Sequence, residues 1–264
     1  MSYSWVGSRY MFLDEISVSE QKGIHIGRYG GHTLSGANKN EDGLMVLQSE
    51  TGQWKLAVLM DAHQTAESAT LVIDYLLSQQ EELNRVLNSS DTFERLDYYF
   101  SALFSSREFR EACQTVQGET ACLILYQREQ YLWWFSVGDC AAYLLHPELA
   151  KWDQYLLNQR QFYEWIGRVN TFDLPVPCYS SGRRELRSGR NVIVMLTDGV
   201  LDGAEAFYNT PSNLYQALYN NNSMSHNLHH ILNQLHTHQA YDSATLICWE
   251  VNNACEAAIP SDMK

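Results

Sequence analysis

No apolar run in this chain is long. The strongest, "LAVLM" (56–60), "YLWWFSV" (131–137) and "NVIVML" (191–196), each stop at a polar turn within a few residues. A helix crossing a bilayer needs about 20 consecutive apolar residues, so these segments read as buried strands. Together with weaker alternating runs, they predict strands near 23–28, 43–48, 54–60, 120–127, 130–137, 140–146, 191–196 and 244–251. Helical spacing appears in three places. Ala69, Val72, Ile73, Leu76 and Leu77 form one stripe, Phe93, Leu96, Phe100, Leu103 and Phe104 a second, and Leu228, Ile231, Leu232 and Leu235 a third. Strands come in runs and helices in pairs. That order points to an α+β fold with antiparallel sheets and away from an alternating βαβ fold.

The 264 residues are 45% hydrophobic and 12% aromatic, enough for a sizeable core. Only 5 prolines occur, and no Pro/Gly/Ser-rich linker interrupts the chain, so residues 1–264 are expected to form a single domain. The opening "MSYSWVGSRYMFLDEISVSE" has no basic start followed by a continuous apolar block, unlike a signal peptide. A soluble, cytoplasmic protein with no membrane partner is expected. The cysteines at 113, 122, 140, 178, 248 and 255 make no CxxC pair and several lie in apolar runs, which suits buried free thiols better than zinc or disulfides. A net charge of -13 argues against a nucleic-acid partner, since phosphate backbones are held by Lys and Arg. The same charge suits cation binding, and it equally serves solubility.

Acids recur where the apolar runs end. Asp61 follows "LAVLM", Asp139 follows "WWFSVG", and Asp198 follows "VIVMLT". Asp242 precedes "SATLICWEV", and Glu41 and Asp42 precede "GLMVL". Taken singly, each is explained as a turn former or cap. If the strand ends meet, the acids form a cluster that cannot stay ionised at low dielectric without cations. Carboxylates without cysteine select hard ions such as Mg²⁺ and Mn²⁺. Two such ions about 3.5–4 Å apart are a known device for phosphoryl chemistry. His63, beside Asp61, is then a candidate acid for the leaving oxygen.

Five segments, in order, resemble the metal-dependent serine/threonine phosphatases of the 2C type. They are "NKNEDGLMVL", "LAVLMDAHQTAESA", "GETACLILYQREQYLWWFSVGDCAAYLL", "NVIVMLTDGVLDG" and "YDSATLICWEV". The resemblance spans most of the chain. It implies two packed antiparallel sheets flanked by pairs of helices, a four-layer αββα sandwich. It implies two Mn²⁺ or Mg²⁺ ions with a third, weaker one. Asp61 would bridge the two metals, with the Ala62 carbonyl, Asp198, Asp242 and Glu41 as further ligands, and Asp139 and Asp202 would serve the third. Asp42 would hold a metal-bound water, and His63 would be the general acid. The implied activity is hydrolysis of phosphoserine and phosphothreonine in proteins through a metal-bridged water, in signalling opposite a cognate kinase.

The chain also departs from the family. Ala37 stands where the family has an arginine that grips the substrate phosphate, leaving Lys39 or Arg28 as substitutes, though a lysine has no bidentate fork. Ala62 replaces a glycine, which matters if that position needs positive φ. Gln64 and Thr65 replace further glycines, and Cys140 replaces a serine. These changes support an alternative, a catalytically weak or inactive module of the same fold that binds a phosphoprotein or regulatory partner. A third reading is hydrolysis of a small phosphomonoester. Two segments are left open. The stretch 151–189, with its basic "GRRELRSGR", is either functional or a surface excursion. His226 and His230 in "SHNLHHILNQLHTH" are either a metal pair or part of a polar helix face.

Overall fold

The computed structural model describes residues 2–259 and 261. The first of two sheets runs β1 (Ser2–Val6), β4 (Gly43–Gln48), β5 (Trp54–His63), β6 (Glu119–Arg128), β7 (Tyr131–Val137) and β10 (Ser180–Glu185), with the short β9 (Ile166–Gly167) also paired to β6. The second runs β2 (Ile16–Gln21), β3 (Ile24–Tyr29), β12 (Ala244–Asn253), β11 (Gly189–Leu196) and β8 (Ala141–Leu145). Every pairing between these strands is antiparallel.

The central strands are apolar on both faces because both faces are covered. Side chains alternate across a strand. On β5, Trp54, Leu56, Val58 and Met60 join the core under α1 (Glu67–Ser78), α2 (Gln80–Asn88), α3 (Thr92–Ser105) and α4 (Arg107–Cys113), while Ala57 and Leu59 join the core between the sheets. On β11, Ile193 and Met195 enter that same inter-sheet core, and Val192, Val194 and Leu196 pack under α6 (Asp198–Ala206), α7 (Pro211–Leu218) and α8 (Met224–Thr237). The result is helices, sheet, sheet, helices. A short α5 (Pro147–Ala150) follows β8.

The expected central strands are all present, and the three apolar stripes fall on α1, α3 and α8. Besides the two-residue β9, three strands were missed: β1, β2 and β10. Each ends its sheet, and a strand with one free edge carries more polar residues, which blurs the period-two signal. The basic segment 182–190 is accounted for by surface pairing. Arg183 bonds Asp97, Arg184 bonds Gln154, Arg187 bonds Glu148 and Arg190 bonds Glu250. His226 and His230 are exposed, and among the described residues no group of three or more His, Cys, Asp and Glu could hold an ion, so these histidines belong to a polar face. Of the six cysteines, Cys113, Cys122, Cys140 and Cys248 are buried and all six are free.

Gly199, in the first turn of α6, sets how closely that helix meets the start of β12. A methyl group there would overlap the Ser243 carbonyl oxygen. Gly199→Ala is expected to destabilise the fold by about 1–3 kcal/mol, the usual range for overpacking. Urea melts of the two proteins check this. An unchanged midpoint would show that the helix shifts freely.

Candidate active site

Register brings the acids to one end of the sandwich. Gly43 pairs with Met60, so Glu41 and Asp42, just before β4, lie beside Asp61 and Ala62 at the end of β5. Cys122 pairs with Val137, which carries Asp139, just past β7, to the same end. In the second sheet Leu196 pairs with Leu246, so Asp198 after β11 and Asp242 before β12 are neighbours. The two sheets therefore contribute acids from facing strand ends.

Asp42 is fully buried and ties the sheets together. Its Oδ1 accepts from the Ser243 hydroxyl at 3.0 Å and its Oδ2 from the Thr245 hydroxyl at 2.5 Å, both from the second sheet's side. Burial pushes its carboxyl up to about 7, against the pull of the Thr245 and Ser243 hydroxyls, and Asp242 and Asp198 push it further the same way. Asp61 is raised well above the carboxylate range by burial first and then by the charges of Asp42 and Asp198. At the rim Asp242 has exposed surface, yet crowding by the surrounding chain and then the Asp198 charge take it to about 6. Asp139 is raised by burial and by Asp198, with Arg160 and His63 opposing.

Three buried carboxylate oxygens lack a hydrogen-bond partner among the described residues: Glu41 Oε1, Asp61 Oδ2 and Asp139 Oδ1. A buried, unpaired anion costs several kcal/mol unless it is neutralised. Hard divalent cations fit this all-oxygen donor set. As the side chains stand, the acids are gathered without enclosing an ion. The Asp198 carboxylate beside Asp61 helps push it up, and Lys39 Nζ lies 2.7 Å from Glu41 Oε2. That ion pair occupies capacity that a cation would otherwise take.

The remaining expected residues divide. His63 ends β5 with its ring edge-on to Trp165 at 4.6 Å between centroids. Ala62 is buried and is not among the residues with positive φ; the left-handed residue is Gln64, at φ 73°. The glycine-to-alanine change at 62 is thus unstrained, and the strain lies two residues on. Cys140 is buried among the acids, which with burial push its thiol well up and keep it neutral. Asp202 stands exposed one turn along α6, outside the buried group. Asp42, expected to hold a water, instead has both oxygens engaged by protein hydroxyls.

Arg28, expected as a phosphate grip, is committed elsewhere. It is buried, its guanidinium bonds Tyr3 Oη and the hydroxyls of Ser17 and Ser19, and it stacks near Trp5 and Phe12. Its partners lie on β1 and β2, the strands that the periodicity did not reveal. Lys39 is at the site, bonded to Glu41 and to the Gln64 carbonyl. Ala37 is buried. Sequence reasoning also missed Ser243 and Thr245, although an S-x-T beside a candidate ligand acid was a usable signal. Arg160 was missed because its segment has no period.

No family model matches this chain, and no curated protein matches it in sequence. Solved structures do. A bacterial serine phosphatase is 15% identical over 89% of this chain and 99% of its own, with a TM-score of 0.64. RsbX in complex with magnesium is 11% identical over 89% of this chain and 100% of its own, at 0.58. The catalytic domain of the serine threonine protein phosphatase PstP, in complex with 2 manganese ions, is 14% identical over 95% of this chain and 98% of its own, at 0.55.

The raised carboxyls make the metal-free protein pH-sensitive. Below about pH 4 the acids are protonated in both states and carry no penalty. As pH rises through the folded values near 6 and 7, the unfolded chain has already released protons that the fold retains, so stability falls and then levels off. In EDTA the melting temperature should fall from pH 5 to 7.5, less steeply in Asp42→Asn. The gain on adding Mn²⁺ should be larger at pH 7.5 than at pH 5, because metal and protons compete for the same oxygens. Scanning fluorimetry measures all three. A flat profile in EDTA, or a gain that shrinks with pH, contradicts the shared-oxygen picture. At these identities the structural likeness concerns architecture: the chain has the fold of bacterial serine/threonine phosphatases.

Proposed function

We propose that residues 1–264 form one metal-dependent phosphatase domain that hydrolyses phosphoserine and phosphothreonine in proteins. The observation that carries this is the set of buried acids, with Glu41, Asp61 and Asp139 each keeping an unpartnered oxygen at one end of the sandwich. The likeness to PstP in complex with 2 manganese ions and to RsbX in complex with magnesium supports the choice of ion. Mn²⁺ or Mg²⁺, held by Glu41, Asp61, the Ala62 carbonyl, Asp198 and Asp242, with Asp139 and Asp202 for a weaker third ion, supplies Lewis-acid neutralisation of phosphoryl charge and activation of water when bound.

The chain's own residues do the rest. His63, held against Trp165, donates a proton to the departing serine or threonine oxygen. Asp42 keeps the two halves of the acid set in register through Ser243 and Thr245. Lys39 offers a positive charge at the mouth, shared with Glu41.

A second reading has specific support. With Ala37 buried, Arg28 engaged and Gln64 left-handed, a catalytically weak module that binds a phosphoprotein or regulatory partner has the same acids and a poorer mouth. Release of phosphate from a phosphothreonine peptide, with and without Mn²⁺, separates the two, and a sugar phosphate run alongside tests small-molecule specificity. Mn²⁺-dependent release from the peptide is expected. Asp61→Asn and Asp198→Asn should each lower turnover more than about a hundredfold, beyond the range for residues that only support ligands. Near-wild-type turnover in either folded variant refutes the assignment of the acids.

A further inference from the structure

A phosphorylated substrate approaching this site meets a surplus of carboxylates. Its dianion needs a cationic group whose charge is not already taken. Arg28 is buried with both terminal nitrogens engaged by hydroxyls, and Lys39 is paired with Glu41 and bonded to the Gln64 carbonyl. Ala37 has no group to offer. A guanidinium stands beside Asp139. Arg160 lies in the segment between α5 and β9, and its Nε donates to the Asp139 carbonyl at 2.6 Å. The next residue fastens the same turn, Gln161 N–H donating to the Gly138 carbonyl at 2.9 Å. The Phe162 ring centroid is 5.2 Å from the guanidinium carbon, which steadies its plane.

What Arg160 does not do is equally informative. Asp139 feels its charge, yet among the ion pairs of the described residues none joins the two, and Asp139 Oδ1 stays unpartnered. Only Nε is engaged by a hydrogen bond among the described residues. The two terminal nitrogens are left over on a side chain that is fixed at its base and half-buried. A planar fork with its inner nitrogen anchored and its outer edge unspent is the arrangement that binds a phosphate oxygen pair.

We infer that Arg160 is the substrate-binding residue for the phosphoryl group, supplied from the segment between α5 and β9. The assignment rests on the phosphatase reading above and names the residue that gives that site its hold on a phosphorylated side chain.

The test uses the full chain with Mn²⁺ and a phosphothreonine peptide. R160A is expected to raise KM roughly tenfold or more, as loss of a charged hydrogen-bond pair does, with kcat little changed. R160K should restore only part of the loss, since an ammonium is a point charge without a fork. The Mn²⁺ concentration for half-maximal activity and the Mn²⁺-induced thermal shift should stay at wild-type values. An unchanged KM in R160A overturns the inference. So does a Mn²⁺ requirement that rises in step with KM, which would make Arg160 a brace for the Asp139 turn. If R160A does not fold, R160K and R160Q carry the same comparison. If the wild type releases no phosphate, the phosphatase reading fails and binding still decides on Arg160. Fluorescence anisotropy of the labelled phosphopeptide with Mn²⁺ should then show wild-type binding that R160A weakens. Equal binding by both, or none by either, overturns the inference.

Discussion

Asp42 and Asp61 are carboxylates placed where water barely reaches, and the rest of the molecule is arranged around that burden. Desolvation alone favours their protonated forms. Hydroxyls of Ser243 and Thr245 compensate Asp42 from the opposite sheet, while Asp61 relies on other acids. A fold seeking stability alone would fill these positions with apolar side chains. Keeping acids here fits the cation site proposed above.

The strands make that concentration cheap to build. Because the core strands pack on both faces, their registers are fixed by apolar side chains throughout their length. Their ends are consequently rigid mounts. Asp61 sits near the end of a strand that holds Val58 and Met60 in one core and Leu59 in the other, so its position follows from packing far from the acids.

Much of this was legible from the residues. Strands such as 43–48 and 191–196 announce themselves because burial on both faces leaves them almost wholly apolar, and the acids at their ends were visible as a pattern before their convergence was known. The edges were not legible. β1 "SYSWV", β2 "ISVSEQ" and β10 "SSGRRE" mix polar and apolar residues without a clean period. With β1 and β2 unseen, nothing revealed that Tyr3, Ser17 and Ser19 surround Arg28, and an arginine whose partners lie on undetected strands looks free. The start of α6 gave no separate signal, because Asp198 is both just past β11 and the first residue of a helix. The segment from 151 to 189 offered no period, since its course is set by single contacts such as those of Arg160 and Gln161 with the Asp139 turn.

The bond network of Asp42 has a mechanical side. Its carboxylate stands just before β4 of the first sheet, and the hydroxyls that donate to it, Ser243 and Thr245, stand just before and within β12 of the second. Between the sheets lies mainly interdigitated apolar packing, such as Leu59, Leu123, Met195 and Ile247, which resists compression but sets no unique slide of one layer over the other; away from the acids, Arg28 on β3 also bonds Tyr3 on β1. The directional bonds at Asp42 supply that coordinate at the acid end. They act as a dowel that fixes the shear between layers, and with it the spacing between the acids of one sheet and those of the other. The distance across the cluster is thereby coupled to the alignment of the whole sandwich.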